Sequence, residues 1–175
     1  MDKPLINESD NAQAQVKLEQ ELAEVKLRSL ERNQTKTESP PNVEFTDKTG
    51  RPITVRTWES GNQAFVRAYD TSKVPVPENV NPGQAGYANA TLEKSANGDA
   101  RVRLNDIQTT PEYRGAGTAG QMLNQVEQFA KKNGASEIYG SIDSQGALDF
   151  WNKQADQGWM IDSSKSYYGQ VYKKL

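Results

Sequence analysis

The chain has 175 residues, enough for one domain with an appendage, and its 21 basic and 23 acidic side chains leave a net charge of -2. Residues 1–42 hold 6 basic and 8 acidic groups and residues 43–175 hold 15 of each, so there is no basic block of the kind that follows a phosphate backbone or an acidic membrane. Cysteine and histidine are both absent, which excludes disulfides, thiol nucleophiles, Ser-His-Asp and Cys-His catalysis, a histidine base and the commonest zinc ligands. No metal site, no nucleic-acid partner and no membrane partner are therefore expected. The start Met1-Asp2-Lys3-Pro4-Leu5 lacks the charged and apolar regions of a signal peptide, and no stretch approaches the ~20 apolar residues of a membrane span; a soluble cytoplasmic protein is expected.

Residues 1–42 are expected to hold a disordered start, an amphipathic helix and a proline-containing linker. Residues 1–10 are polar. From Ala14 to about Arg32 the chain is rich in Glu, Lys, Leu and Gln without Gly or Pro, which predicts a helix. Val16, Ala23, Leu27 and Leu30 share one stripe and Leu18, Leu22 and Val25 a neighbouring one. A helix this short needs something to pack against: its own domain, a second copy or another partner. Helix-mediated self-association is the weaker reading, because Glu19 and Lys26 interrupt a coiled-coil seam. Asn33 to Asn42, with Pro40-Pro41, reads as the linker.

Residues 43–175 read as one folded domain. Val43 to Asp47 and Pro52 to Trp58 flank Lys48-Thr49-Gly50 as a hairpin, and Gln63 to Tyr69 is a further strand. Thr71 to Gly86 is a long Pro- and Asn-containing loop. Tyr87 to Lys94 and Ala100 to Thr109 form a second hairpin around Asn97-Gly98. Pro111-Glu112-Tyr113-Arg114-Gly115-Ala116-Gly117-Thr118-Ala119-Gly120 is a glycine-rich turn leading from that strand into a helix with the apolar face Met122, Leu123, Val126, Phe129 and Ala130. Free N–H groups at such a helix start bind phosphate. Standing alone, this pattern would more often be a ligand-free turn. Ser136 to Asp143 then reads as a buried strand, Ala147, Phe150 and Trp151 begin a second helix, and Ser166 to Leu175 is a last, aromatic-rich strand.

The sequence Arg-x-x-Gly-x-Ala from Arg114 to Ala119, preceded by Pro-x-Tyr and followed by these elements in this order, resembles the coenzyme A pyrophosphate loop of the GNAT superfamily of N-acetyltransferases. The resemblance runs from about Phe65 to Leu175. It implies an α+β fold with a mixed, mostly antiparallel central sheet flanked by helices, here with an extra N-terminal helix. The family places one or two helices between its first two strands as a wall of the acceptor site. Trp58 to Ala64 is too short for even one, so the acceptor side should be reduced or open.

The resemblance also implies chemistry: acetyl-CoA as cofactor and direct acetyl transfer to a primary amine of a small-molecule or protein acceptor. Arg114, Gly115, Ala116, Gly117, Thr118 and Ala119 would wrap the pyrophosphate, with Gly117 the position where a Cβ should crowd the phosphate or the turn. Ile107, Gln108 and Thr109 would pair with the pantetheine arm and supply an oxyanion donor, and Ser144 would bond the cofactor. An attacking amine must be neutral, so a base is expected. Asp106 is the best-placed carboxylate, although such a residue is more often simply solvated or a salt-bridge partner, here of Arg101 or Arg103. Glu112 is a poorer candidate, better read as complementing the helix dipole. The family's usual helical tyrosine acid falls on Trp151, whose indole cannot serve. Tyr168, Tyr139 or Tyr172 could stand in, with Tyr168 the chosen candidate. The alternative reading is a catalytically weakened coenzyme-A-binding module with a regulatory or interaction role.

Overall fold

The computed structural model describes residues 16, 17, 19–24, 41–73 and 83–175, and contacts divide the chain into two compact units, Met1–Ser39 and Pro40–Leu175. In the first unit the described residues are helical and exposed, in the stretch where a helix is expected. The expected disordered start, most of the linker and most of the Thr71 to Gly86 loop lie outside the described residues.

The second unit is built on an eight-stranded sheet in the order β1-β2-β3-β4-β5-β6-β8-β7. Its strands are β1 (Val43–Thr46), β2 (Pro52–Ser60), β3 (Gln63–Asp70), β4 (Gln84–Lys94), β5 (Ala100–Thr109), β6 (Glu137–Ser141), β7 (Met160–Asp162) and β8 (Gln170–Lys174). Every pairing is antiparallel except β5 with β6. Two helices follow the expected order: α1 (Thr118–Lys132) bridges β5 and β6, and α2 (Gln145–Asn152) follows β6. Because a parallel pair needs a crossover, α1 is what allows β6 to lie beside β5.

Strand boundaries differ from expectation in three places. The fourth strand begins at Gln84 rather than Tyr87, because Ala85 and Gly86 are already buried against α1 and pair onward. The buried strand after α1 is confined to Glu137–Ser141. The last strand, expected from Ser166 to Leu175, is confined to Gln170–Lys174, and an unexpected strand, Met160–Asp162, pairs with it across the turn of residues 163–169.

Alternation along β2 to β5 puts Val55, Ala64, Val66, Ala68, Ala88, Ala90 and Val102 on one face, all essentially buried. Over this face lies α1, whose Met122, Leu123, Val126, Phe129 and Ala130 are buried as a single stripe. The alanines let α1 approach closely. A buried Gln125 reaches through this layer, its Oε1 accepting from Thr57 Oγ1 at 3.2 Å.

The opposite face is different. Strands β2 and β3 are joined only by Gly61-Asn62, so no helix intervenes between them, and among the described residues of this second unit no helix lies over the other side of β2 to β5. Trp58, Phe65, Arg67, Tyr87, Asn89 and Asp106 occupy that side. One irregularity matters for the site: Asn89 pairs with Asp106 but Ala90 with Leu104, so Asn105 is an extra residue in β5. The bulge reverses the alternation and delivers Asp106 and Gln108, rather than their neighbours, to the open face.

Candidate functional site

Strands β5 and β6 pair only at Val102 with Ile138 and Arg103 with Tyr139. Beyond that point β6 continues to pair with β8, while β5 runs on to Thr109 with its inner edge unpaired. The strands part, and the gap opens into a cleft of about 980 Å³. Its floor is the free edge of β5, including Asp106, Ile107, Gln108 and Thr109; Arg114, Gly115, Gly117, Thr118, Ala119 and Gly120 form one wall, and Ser144, Ala147, Phe150 and Trp151 the other. A free strand edge inside a cleft presents N–H and C=O groups that a ligand can satisfy.

The glycine-rich wall is shaped for an anion. Gly115 and Gly117 have φ of 73° and 100°, a left-handed conformation that glycine adopts without steric cost. Gly117 is the N-cap of α1, and Gln121 N–H is the first to bond back, to Gly117 O. None of the N–H groups from Gly115 to Gly120 has an acceptor among the described residues. They stand at the positive end of a fifteen-residue helix. Thr118 Oγ1 is the buried side-chain polar atom that lacks a partner among the described residues, although Thr118 itself lines the cleft. Ideal Cβ atoms at Gly115, Gly117 and Gly120 would meet nothing within 4 Å, so the cradle is empty space bordered by donors. These observations fit a diphosphate. They correct one expectation: a side chain at Gly117 would not crowd the turn, and the residue is needed there for its backbone angle.

Two cations border this cradle. Arg114 folds back so that its Nε donates to Thr109 O at 3.2 Å, which holds the guanidinium at the end of β5. Lys48, from the β1–β2 turn, lines the cleft and donates its backbone N–H to Ala116 O at 3.1 Å. The same turn clamps the loop from behind. Arg51 donates Nη1 to Glu112 O at 3.0 Å and stacks 4.1 Å from the Tyr113 ring centroid, while its Nε meets Asp47 at 2.8 Å. Burial pushes the Asp47 carboxyl up, but hydrogen bonds from Thr49 and Arg51 outweigh it and hold the group well below the usual range. Tyr113 is 1 % exposed and donates its hydroxyl to Asp70 Oδ2 at 3.0 Å. Burial and that bond push the phenol well above its usual range.

Most of the expected cofactor residues converge on the cleft: Ile107, Gln108, Thr109, Arg114, Gly115, Gly117, Thr118, Ala119 and Ser144 all line it. Ala116 does not; its methyl is buried and its carbonyl is the acceptor for Lys48. Ser144 serves as the N-cap of α2, its Oγ accepting from Ala147 N–H at 3.2 Å, so its oxygen already has a structural use. Lys48 and Gly120 are additions. Gly120 belonged to the visible glycine run, whereas nothing in the sequence ties Lys48 to residues so far along the chain.

At the other end of the cleft Asp106 is exposed and accepts the Tyr87 hydroxyl at 2.8 Å through Oδ2. It is not the partner of Arg101 or Arg103: both pair with Glu93, at 3.2 and 3.5 Å. Tyr87 is a further residue that sequence reasoning missed, because the pairing depends on the β5 bulge. Its hydrogen bond to Asp106, with burial second, raises the phenol above its usual range. Tyr168 packs against the core and, edge-to-face at 4.8 Å, against Tyr167, and it does not line the cleft. Tyr139 donates to Glu93 at 2.6 Å, and Tyr172, on β8, pairs with Tyr139 of β6 and Met160 of β7. Trp151 is 4 % exposed between Phe150 and Trp159, with ring centroids at 4.9 and 4.8 Å, as a wall of the cleft. Among the described residues no group of three or more carboxylates could hold a metal, and no helix is long and apolar enough to cross a membrane.

A family model described as the acetyltransferase (GNAT) family matches residues 33–155. Among solved structures, the chain is similar to the GNAT domain of S. lividans PAT, with a TM-score of 0.56 and 10% identity over 77% of this chain and 97% of that one. It is also similar to the NatC complex bound to Gag peptide and CoA, with a TM-score of 0.50 and 14% identity over 63% and 70%. The PaiA N-acetyltransferase from Thermoplasma acidophilum in complex with coenzyme A gives a TM-score of 0.48 and 18% identity over 65% and 62%. No curated protein matches by sequence.

Proposed function

The chain belongs to the acetyltransferase (GNAT) family, and from that premise we propose that it is an acetyl-CoA-dependent N-acetyltransferase acting on a primary amine. The observation that carries this reading is the unbroken run of partnerless N–H groups from Gly115 to Gly120 beside the free edge of β5. Any helix start leaves its first N–H groups without intrahelical acceptors; here the run is lengthened by Gly115 to Gly117 and faces a cleft beside a free strand edge, where an anion can take the place of water. In this reading the loop, Lys48 and Arg114 hold the diphosphate, and the free edge of β5 from Ile107 to Thr109 holds the pantetheine amides. Acetyl-CoA, when bound, supplies the acetyl group as a thioester. Asp106 receives the acceptor amine: Tyr87 occupies Oδ2 and leaves Oδ1 free to accept a proton from the ammonium. Phe150 and Trp151 exclude water from the cleft wall.

A second reading has a specific observation behind it. Tyr113 is the tyrosine that lines the cleft among the described residues, and its hydroxyl is committed to Asp70. With Trp151 on α2, no phenol is offered to a departing thiolate, which suits a coenzyme-A-binding module with weak or no turnover. Calorimetric titration with acetyl-CoA, with thiol release followed in the same sample across an amine panel, separates the two. One equivalent bound with amine-dependent release supports the enzyme. Binding with no release supports the module, and no binding refutes both.

A further inference from the structure

The open face of the sheet carries two arginines opposite one another, Arg56 and Arg67, and neither has a counter-ion among the described residues. Arg67 leaves β3 on that face, partly buried, and among the described residues it makes no ion pair. Its Nη1 donates to Val66 O at 2.8 Å, to Asn89 Oδ1 at 2.9 Å and, at 3.3 Å, to Ala88 O. Those bonds fix the guanidinium while leaving Nε and Nη2 without acceptors among the described residues. Aromatic rings surround it: Trp58, Phe65 and Tyr87 have centroids 5.3, 6.0 and 5.2 Å from Cζ, and Trp58 and Phe65 stack on one another at 5.6 Å. A weakly hydrated, pre-oriented guanidinium in such a setting favours a carboxylate partner. Its place relative to Asp106 is the informative point. Arg67 approaches the Tyr87 ring at one end, and the Tyr87 hydroxyl holds Asp106 at the other. One tyrosine ring separates a fixed cation from the anion proposed to receive the amine.

We infer that the acceptor is a zwitterion, a primary amine carrying a carboxylate a few bonds away, with its ammonium on Asp106 and its carboxylate on the free edge of Arg67. This deepens the acetyltransferase reading and rests on it. Charge complementarity selects the ligand: a polyamine would set a second ammonium against Arg67, and an uncharged amine would leave the guanidinium without a partner. Trp58, 40 % exposed at the far end of this track, is where the acceptor's side chain would lie.

The test uses the full chain and three matched sets of probes: L-amino acids, their carboxamides, and the corresponding amines without the carboxyl group. At saturating acetyl-CoA, kcat/KM should favour the carboxylates over the carboxamides by about 10- to 100-fold, mainly through KM, as expected for one charge-assisted pair. Arg67→Gln should bring that ratio close to one and Arg67→Lys should restore part of it, with acetyl-CoA affinity by calorimetry as the control for folding. A second readout needs no turnover. Quenching of Trp58 by N-acetyl amino acids should be at least tenfold more sensitive than quenching by their amides, and Arg67→Gln should abolish the difference. A preference that survives Arg67→Gln, equal handling of carboxylates and carboxamides, or no response to either probe series overturns the inference. Discriminating quenching without any acetylation would uphold the carboxylate seat and sink the enzyme reading instead.

Discussion

Replacing Gly120 separates the loop's role as a turn from its role as a binding surface. Gly120 is the third residue of α1, its φ is not positive, and a Cβ there would meet no heavy atom within 4 Å. Alanine is a better helix former than glycine by about 0.8–1 kcal/mol in a helix interior, so Gly120→Ala should raise stability by up to that amount. The same methyl enters the cleft beside the free N–H groups, and Gly120→Leu fills much more of it. If the cradle holds a diphosphate, the leucine displaces it from one or two N–H groups, each charge-assisted bond being worth about 1.5–3 kcal/mol. Acetyl-CoA affinity should therefore fall by about 10- to 100-fold for each bond lost. Gly117→Ala is the contrasting variant. At φ of 100° it costs about 1–3 kcal/mol of strain, so it should lose stability as well as affinity. Thermal melting and calorimetric titration of the three variants give the comparison. Wild-type affinity in Gly120→Leu would refute the diphosphate assignment, and an unshifted melt in Gly117→Ala would refute the backbone argument.

Thr118→Val removes a buried hydroxyl that has no partner among the described residues, so stability should hold or rise by up to about 1 kcal/mol while acetyl-CoA affinity falls about three- to tenfold, read by melting and calorimetry. Arg51→Ala strips the clamp behind the loop, and should cost about 1–3 kcal/mol in urea unfolding and weaken acetyl-CoA binding without touching the cleft surface. Asp47 and Asp70 both titrate below their ordinary value of 3.8. Burial raises each, and hydrogen bonds, from Thr49 and Arg51 to Asp47 and from Ser72 and Tyr113 to Asp70, more than reverse it. Their contribution is thus complete above that value and is lost as pH falls through the lower folded values; urea midpoints should drop below pH 3.8, and Asp70→Asn should flatten the drop. Trp151→Phe should keep kcat within about tenfold if the ring is only a wall, and a larger loss would give Trp151 a direct part in the reaction.

Local pattern made most of this fold readable. The apolar spacing of Met122, Leu123, Val126, Phe129 and Ala130 dictates one buried face wherever that helix packs, and alternation in β2 to β5 dictates the core side of the sheet. Gly115 and Gly117 announced a tight left-handed turn because few other residues take those angles. What stayed hidden depends on distance along the chain or on a one-residue irregularity. Met160–Asp162 is too short to show a period, and it is a strand only because β8 offers it an edge. Lys48 and Arg51 reach the loop through a tertiary contact no local window contains. Tyr168 looked usable in sequence because a phenol is suited to the task, yet its ring is spent on packing.

The Asn105 bulge connects these observations. With regular pairing, the residue on the open face after Arg103 would be Asn105, and Asp106 would point toward α1, where an unpaired carboxylate is costly to bury. The extra residue instead sets Asp106 opposite Asn89 and within reach of Tyr87, on the face that carries no helix among the described residues of the second unit, where β2 and β3 join through Gly61-Asn62. Two departures from regularity, a bulge and a short connection, thereby act on the same surface. One turns a carboxylate outward at the cleft, and the other leaves room beside it for the acceptor that Arg67, Trp58 and Phe65 are proposed to hold. A helix-walled acceptor site would have to admit its amine through a narrow mouth. In the proposed reaction the amine would arrive across the sheet, and the side chains on that sheet would decide which amines stay.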